Sequence, residues 1–383
     1  MPVRCPHCGR EAPDGHYCAY CGAPLHAAAP ADTRGAAARR RDAYAANPRE
    51  HVYHPAIIST FFPHLNPSST HLARWVLLGA ALVIFLVGLG RVVPVAYVVA
   101  ALLIPALYLL YFYDAEIYED EPLPVLGATF AAGAVLGAGM SLYFAPLILR
   151  LYRPAFQPRS EYVLLTGVGL PLLALLLMVL GPLALFLFRR RFDEVLDGLA
   201  FGVASALGFA AAQSIVYTWL LITGPVIRTG NPLSWALPTI RISILMPLLD
   251  AATAGLICAA LWAWRRPAEG GEVGWLAWPP AAVLVAALGQ VIPNVASDLF
   301  GGEIRDLIWY AIVLVILILF VRHVLHHSLI ARAHALGHGG TLRCPHCGRE
   351  APDLPFCPHC GLALRSAAKR ERRPAAPEEP ANA

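Results

Sequence analysis

The chain has 383 residues and a formal net charge of +4, and it is 57% hydrophobic but only 14% charged. A soluble globular protein carries about a quarter charged residues, so this composition excludes a fold that is water-soluble throughout. Apolar stretches of roughly 20 residues, each able to cross ~30 Å of hydrocarbon, explain the deficit.

Residues 1–26 form the first unit. Cys5, Cys8, Cys18 and Cys21 have the spacing C-x2-C-x9-C-x2-C, with Gly9 and Gly22 directly after the second and fourth cysteines. Two short Cys-x-x-Cys knuckles joined by a hairpin can place four thiolates tetrahedrally, the arrangement a structural Zn²⁺ requires. So small a module cannot bury a core, and the metal supplies most of its folding energy, on the order of 10–16 kcal/mol. A redox-active Cys-x-x-Cys site would need a thioredoxin-like βαβ setting, and these short, Pro-rich segments offer none. Full metal occupancy needs reduced thiols, which predicts a cytoplasmic location.

Residues 27–71, rich in Ala, Arg and Pro, read as a linker. Eight apolar spans follow, at about 75–90, 92–113, 122–149, 162–188, 198–222, 242–264, 273–297 and 304–321. No cleavable signal peptide is expected before them. The fold class is therefore an all-α polytopic membrane protein, its membrane domain covering 72–325, in the cell membrane. An even span count puts both termini on one side. Arg189, Arg190, Arg191, Arg265 and Arg266 fall on the ribbon side of this arrangement, whereas Arg150, Arg153 and Arg159 fall on the other. Cys258 lies in an apolar run and reads as a small buried hydrophobe. A juxtamembrane linker (326–342) leads to a second module, 343–364, with Cys344, Cys347, Cys357 and Cys360 at the same spacing. Its opening eleven residues, Arg343 to Asp353, repeat Arg4 to Asp14 identically. The tail, 365–383, reads as disordered. Both cysteine modules resemble the short bacterial zinc-ribbon module, which implies one zinc ion in each.

Three stretches of the membrane region resemble the PrsW family of intramembrane metalloproteases. Glu116-Ile-Tyr118-Glu119-Asp-Glu121-Pro122 is similar to the family's D-x-Y-E-x-E-P. Phe192-Asp-Glu194-Val-Leu-Asp197-Gly198, continuing through Gly202 and Gly208-Phe209-Ala210-Ala-Ala-Gln213-Ser-Ile-Val-Tyr217, is similar to F-D-E-P-x-D-G … G-F-A-x-x-E-N-x-x-Y. Gln290-Val-Ile-Pro-Asn294 sits where the family has H-x-x-x-N. The resemblance implies a metalloprotease fold, but the positions that would carry its chemistry differ. Gln213-Ser214 replaces Glu-Asn, and Gln290 replaces a His. Met246-Pro247 stands near another His, and the region of a family E-E-x-x-K element, near Leu172–Leu176, is wholly apolar. Zinc catalysis needs two or three His or carboxylate ligands and a carboxylate base, and glutamine is neither base nor charged.

Two readings of the core follow: a fold kept as a membrane scaffold or pseudoprotease, with no catalytic residues, or an active intramembrane metalloprotease with a substituted site. The intramembrane polar residues at issue are Gln213, Asp250, Gln290 and Asn294, with Asp298 beside them. Asp250 is the sharpest functional suspect, although a hydrogen-bonded Asp can simply join helices. A transporter is a third reading, prompted by Asp250 and the Pro- and Gly-interrupted spans. Gly198-x-x-x-Gly202 reads as a helix-packing motif. The acidic run Asp114, Glu116, Glu119, Asp120 and Glu121 reads as a solvated loop, with a cation site as its alternative. His323, His327, His334 and His338 would share one face of a continued helix, either solvated or metal-binding. The expected partners are the lipid bilayer and a cytoplasmic or membrane protein engaged through the ribbons; nucleic acid is not expected.

Overall fold

The computed structural model describes residues 3–25, 123–151, 160–188, 195–223, 240–265, 278–335, 341–344, 347–362 and 364, with isolated positions between 75 and 103 and at 237. At the amino end, β1 (Val3–Arg4) pairs antiparallel with β2 (Glu11–Ala12). Helices follow: α1 is Leu123–Leu151, and α2 runs from Ser160–Val163 through a π-helical segment, Leu164–Gly169, into Leu170–Phe188. Next come α3 (Val195–Thr223) and α4, in which a π-helical Arg241–Leu245 leads into Met246–Arg265. The last two are α5 (Pro279–Phe300) and α6 (Glu303–Ala335). At the carboxyl end, β3 (Thr341–Arg343) pairs with β4 (Glu350–Pro352).

Among the described residues, each of these six helices contains a segment of 19–28 residues long and apolar enough to span a bilayer. In hydrocarbon no water is available to bond a peptide group, so an apolar run of this length must satisfy its backbone internally, as a helix. These are the third to eighth spans expected from the sequence. The first two, 75–90 and 92–113, are described only at isolated positions, and the linker, the acidic run at 114–121 and the tail lie outside the described residues. Two boundaries moved. The seventh span begins at Pro279, not 273, because the Pro279-Pro280 pair fits the first turn of a helix after the extended Trp278. The eighth runs on to Ala335, well into the segment read as a juxtamembrane linker. Gly301 and Gly302, at φ 51° and 108°, make the corner between α5 and α6.

Helices α3 and α4 form the centre, with 78% and 89% of their spanning windows buried, against about a third for each of the other four. Small residues let their backbones meet directly. A Cβ on Gly133 of α1 would collide with the carbonyl oxygen of Ser205 in α3, and one on Gly208 of α3 would collide with that of Phe130. On the other side of α3, Gly198 faces Cys258 and Trp262 of α4, and Gly202 faces Ala254 and Cys258. Gly198-x-x-x-Gly202 is thus a packing motif, and Cys258 is fully buried within it. The contacts also give directions: α1 and α3 run parallel (133 beside 205, 137 beside 209), whereas α3 and α4 run antiparallel. Successive helices therefore cross in alternate directions, as spans must.

The outer helices present apolar stripes at helical spacing: Leu172, Leu176 and Leu180 on α2, Leu284, Leu288 and Ile292 on α5, and Ile304, Ile308, Ile312 and Ile316 on α6. Apolar surface this continuous is a lipid-facing belt, and the chain is a multi-pass membrane protein.

The close approach can be tested with two glycines of α1. Gly133→Val should destabilise the protein in nanodiscs by about 1–3 kcal/mol through overpacking. Gly139→Ala, with nothing within 4 Å of the added carbon, should be near neutral in the same thermal melt.

Candidate functional sites: paired ribbons and an intramembrane polar cluster

The cysteine modules are built alike. In each, the strand pair delivers the first knuckle: the N–H of Cys5 donates to the Arg10 carbonyl (2.9 Å) and that of Gly9 to the Cys5 carbonyl (2.9 Å). The same bonds recur at 2.8 Å from Cys344 to Arg349 and from Gly348 to Cys344. The glycines after each knuckle, Gly9, Gly22, Gly348 and Gly361, take φ between 69° and 73°, the left-handed turn a side chain resists. Four sulfurs converge in each module, all within 4.8 Å of one another, so each group of four can hold a metal ion. Sulfur separations are 3.6 Å (Cys5–Cys21), 3.8 Å (Cys8–Cys18), 3.7 Å (Cys344–Cys360) and 3.8 Å (Cys347–Cys357). A tetrahedron with metal–sulfur bonds of ~2.3 Å has edges of about 3.8 Å, so the cluster already has a tetrathiolate's size. Burial raises the Cys5 thiol, but backbone hydrogen bonds from Cys8 and His7 bring it down to about 7. Hydrogen bonds from Cys344, Cys357 and Cys360 hold Cys347 well below the ordinary thiol value. Their neighbours Cys21 and Cys360 are pushed the other way, Cys21 chiefly by burial and Cys360 by the hydrogen bonds with the other cysteines of its set, so the protons of each set are shared unevenly among its four thiols.

The two modules also bind each other. The N–H of Tyr17 donates to the Pro358 carbonyl, and the N–H of Phe356 donates to the Ala19 carbonyl, both at 2.9 Å. In the internal repeat Tyr17 corresponds to Phe356 and Ala19 to Pro358, so the contact is a pseudo-two-fold pairing of equivalent surfaces. Tyr17 lies against Gly361, where an added Cβ would be 2.9 Å from its ring, and Gly15 abuts Pro358. Phe356 is fully buried and belongs to the same apolar cluster as the helical bundle, so the ribbon pair is seated on the membrane domain.

Inside the bundle a second cluster joins α4, α5 and α6. Asp250 of α4 is 6% exposed, and Gln290 of α5 is 3% exposed. The Gln290 amide nitrogen donates to Asp250 Oδ1 (2.8 Å) and to Thr253 Oγ1 (3.0 Å). Thr253 in turn donates to the Leu249 carbonyl at 3.0 Å. One turn on, Asn294 donates to the Gln290 carbonyl (2.7 Å) and accepts from the Tyr310 hydroxyl of α6 (2.8 Å). The Arg241 guanidinium lies 5.9 Å from the Tyr310 ring centre and donates to Asp306 Oδ2 (3.0 Å) and Ser297 Oγ (3.3 Å). Asp298 accepts a hydrogen bond from the Thr166 hydroxyl of α2. The polar groups thus run from the bundle's middle to the end opposite the ribbons.

Of the four residues singled out in the sequence, Asp250, Gln290 and Asn294 come together. Gln213 does not join them: it is half-buried on α3. The antiparallel register of α3 on α4 sets it roughly five residues, about 7 Å, beyond the level of Asp250. Leu172 and Leu176 face outward, at 38% and 60% exposure. His323 and His327 do share a face of α6, with ring centres 4.3 Å apart, but they are half-buried, and the neighbouring His326 is 4% exposed. The His334 side chain and His338 lie outside the described residues. Sequence reasoning missed Arg241, Asp306, Thr253 and Tyr310. The available signal was Arg241 itself, a cation leading directly into an apolar span.

A metal in the bundle would need converging ligands. Among the described residues, groups of three or more His, Cys, Asp or Glu side chains that converge are the two cysteine sets. The carboxylates of the intramembrane polar groups, Asp250, Asp298 and Asp306, do not converge on one point, and Asp250 is surrounded by amides and hydroxyls, so these described residues do not fit a catalytic metal.

The fold and its terminal cysteine sets define a polytopic helical membrane protein carrying two small metal-binding modules. The model of the PrsW family intramembrane metalloproteases matches residues 121–321, more than half of the chain, and the protein belongs to that family. No curated protein and no solved structure matches it.

The buried pair makes a stability prediction. Gln290→Leu leaves Asp250 without its donor and should cost about 1–3 kcal/mol. Adding Asp250→Leu should recover part of that loss in a double-mutant cycle read by thermal unfolding in nanodiscs.

Proposed function

We propose that the protein is a catalytically degenerate member of the PrsW family, a membrane scaffold presenting two zinc ribbons to a protein partner on the cytoplasmic side. The carrying observation is Gln290. It stands where the family places a His, and both its amide hydrogens are used in bonds to Asp250 and Thr253. A side chain so engaged holds helices together, and it can neither ligate zinc as an imidazole nor take a proton from water. Zinc in the ribbons is supported by the all-sulfur donor set and its tetrahedral dimensions, since a closed site of four cysteines is the usual structural zinc centre. Cytoplasmic placement is supported by the eight reduced thiols that two such sites require. Because the ribbons pair, a partner would meet them as one composite surface seated on the membrane domain, not as two separate fingers.

The second reading, an active protease with a substituted site, is favoured only by the carboxylate of Asp250 within the bundle. Incubation of the purified protein with membrane proteins separates the two. The scaffold reading expects identical peptide patterns for the unmodified chain and Asp250→Asn, and no protease from Gln213→Glu combined with Gln290→His. Specific cleavage by the unmodified protein that disappears in Asp250→Asn would establish the enzyme instead. Orientation has its own check. After zinc is stripped in intact cells, a membrane-impermeant thiol reagent should leave both cysteine sets unlabelled, and labelling of either set would refute the cytoplasmic placement.

A further inference from the structure

Asp250 carries a problem of charge. It lies in the most buried helix of the bundle, and among the described residues its side-chain partner is an uncharged amide. The guanidinium of the same helix, Arg241, is engaged by Asp306 at 3.0 Å. Among the described residues, the other ionisable groups facing this region are Asp298 on α5 and Asp306 and Tyr310 on α6. Helix α3 has none between Asp197 and Tyr217, and α2 has none from Leu170 to Phe188. Among the described residues, three carboxylates, Asp250, Asp298 and Asp306, therefore share one arginine. An unpaired carboxylate in the membrane interior is costly, and taking up a proton is the ordinary way to remove its charge.

The geometry around Asp250 suits both of its protonation states. One Gln290 atom lies 2.8 Å from Asp250 Oδ1 and 3.0 Å from Thr253 Oγ1. With nitrogen in that place, the amide donates to an ionised carboxylate and to the threonine hydroxyl. Rotating the amide by half a turn puts Oε1 there, where it accepts from a protonated carboxyl and from the same hydroxyl; oxygen and nitrogen are nearly equal in size. In either state the Gln290 atom between Asp250 Oδ1 and Thr253 Oγ1 can bond to both of them. Asn294, Tyr310, Arg241 and Ser297 continue the polar lane towards the bundle end opposite the ribbons.

We propose that Asp250 is an intramembrane proton-binding site, filled from the end of the bundle opposite the ribbons, with Gln290 rotating its amide to match each protonation state. Loading forms the Asp250 O–H bond with a proton from water on that side, and release returns it. This site is independent of whether the core cleaves peptides.

The test is infrared spectroscopy of the full chain, metal-loaded, in phosphatidylcholine–phosphatidylglycerol nanodiscs. A protonated-carboxyl carbonyl band should titrate with pH, shift on transfer to D₂O and be missing in Asp250→Asn. Gln290→Leu can match neither state and should change the proton affinity by about tenfold or more, roughly one pH unit. Gln290→Glu is not an equivalent control, because it adds a second carboxyl. Identical spectra for the unmodified chain and Asp250→Asn at every pH would overturn the proposal. So would a band that fails to shift in D₂O, which means a sealed site, or one abolished by sodium at constant pH, which means a metal cation and not a proton. The first two measurements on the unmodified chain decide the matter even if Gln290→Leu does not fold.

Discussion

The structure depends on how closely α3 can approach its two neighbours. Lipid tails are as apolar as leucine, so burying apolar surface gives membrane helices little reason to associate, and close packing must supply it. Glycines at 133 and 208 bring α1 and α3 into backbone contact, and those at 198 and 202 do the same for α3 and α4. With α3 and α4 fixed at the centre, α4 directs Asp250 and Thr253 inward, where α5 meets them with Gln290. The polar cluster is a consequence of that approach: it forms on the one face of α4 that α3 leaves to α5 and α6.

The same packing explains why polar groups survive in the interior. Gln290, Thr253, Asn294 and Tyr310 each make a side-chain hydrogen bond, whereas Arg241 Nε and Asp306 Oδ1 are buried without a partner. A chain of such bonds ties α4, α5 and α6 together, and Gly289 of α5 packs against Leu317 of α6 beside it. At the other end of the bundle the ribbons add a second tie. Their pairing joins the two ends of the chain, and Phe356 anchors the pair in the apolar core. The ribbon modules are too small to be stable by burial alone, so metal binding and mutual pairing supply what a core would.

Much of this could be read from residue order, and the exceptions have physical causes. Cysteine spacing is a local signal, which is why Cys5 to Cys21 and Cys344 to Cys360 were recognisable as sets. Six spans followed from apolar length, with errors confined to their ends, where a Pro pair starts α5 late and α6 continues past the apolar run. Side-chain partners between helices are set by register, which no single span contains. Asp250 and Gln290 are forty residues apart, and nothing local says that they meet. Gln213 shows the converse: its motif places it beside the cluster in sequence logic, but the α3–α4 register carries it past. The pairing of Arg241 with Asp306 and Tyr310 was hidden for the same reason.

The proposed scaffold reading makes metal binding a property of the ribbons and not of the membrane domain. Native mass spectrometry of the intact chain released from nanodiscs tests it directly, using the unmodified protein and the variant with Cys5→Ser and Cys8→Ser. The account predicts two zinc ions for the first and one for the second. A third metal in the unmodified chain, lost when Asp250 or Gln290 is replaced, would contradict it and place a metal centre within the bundle.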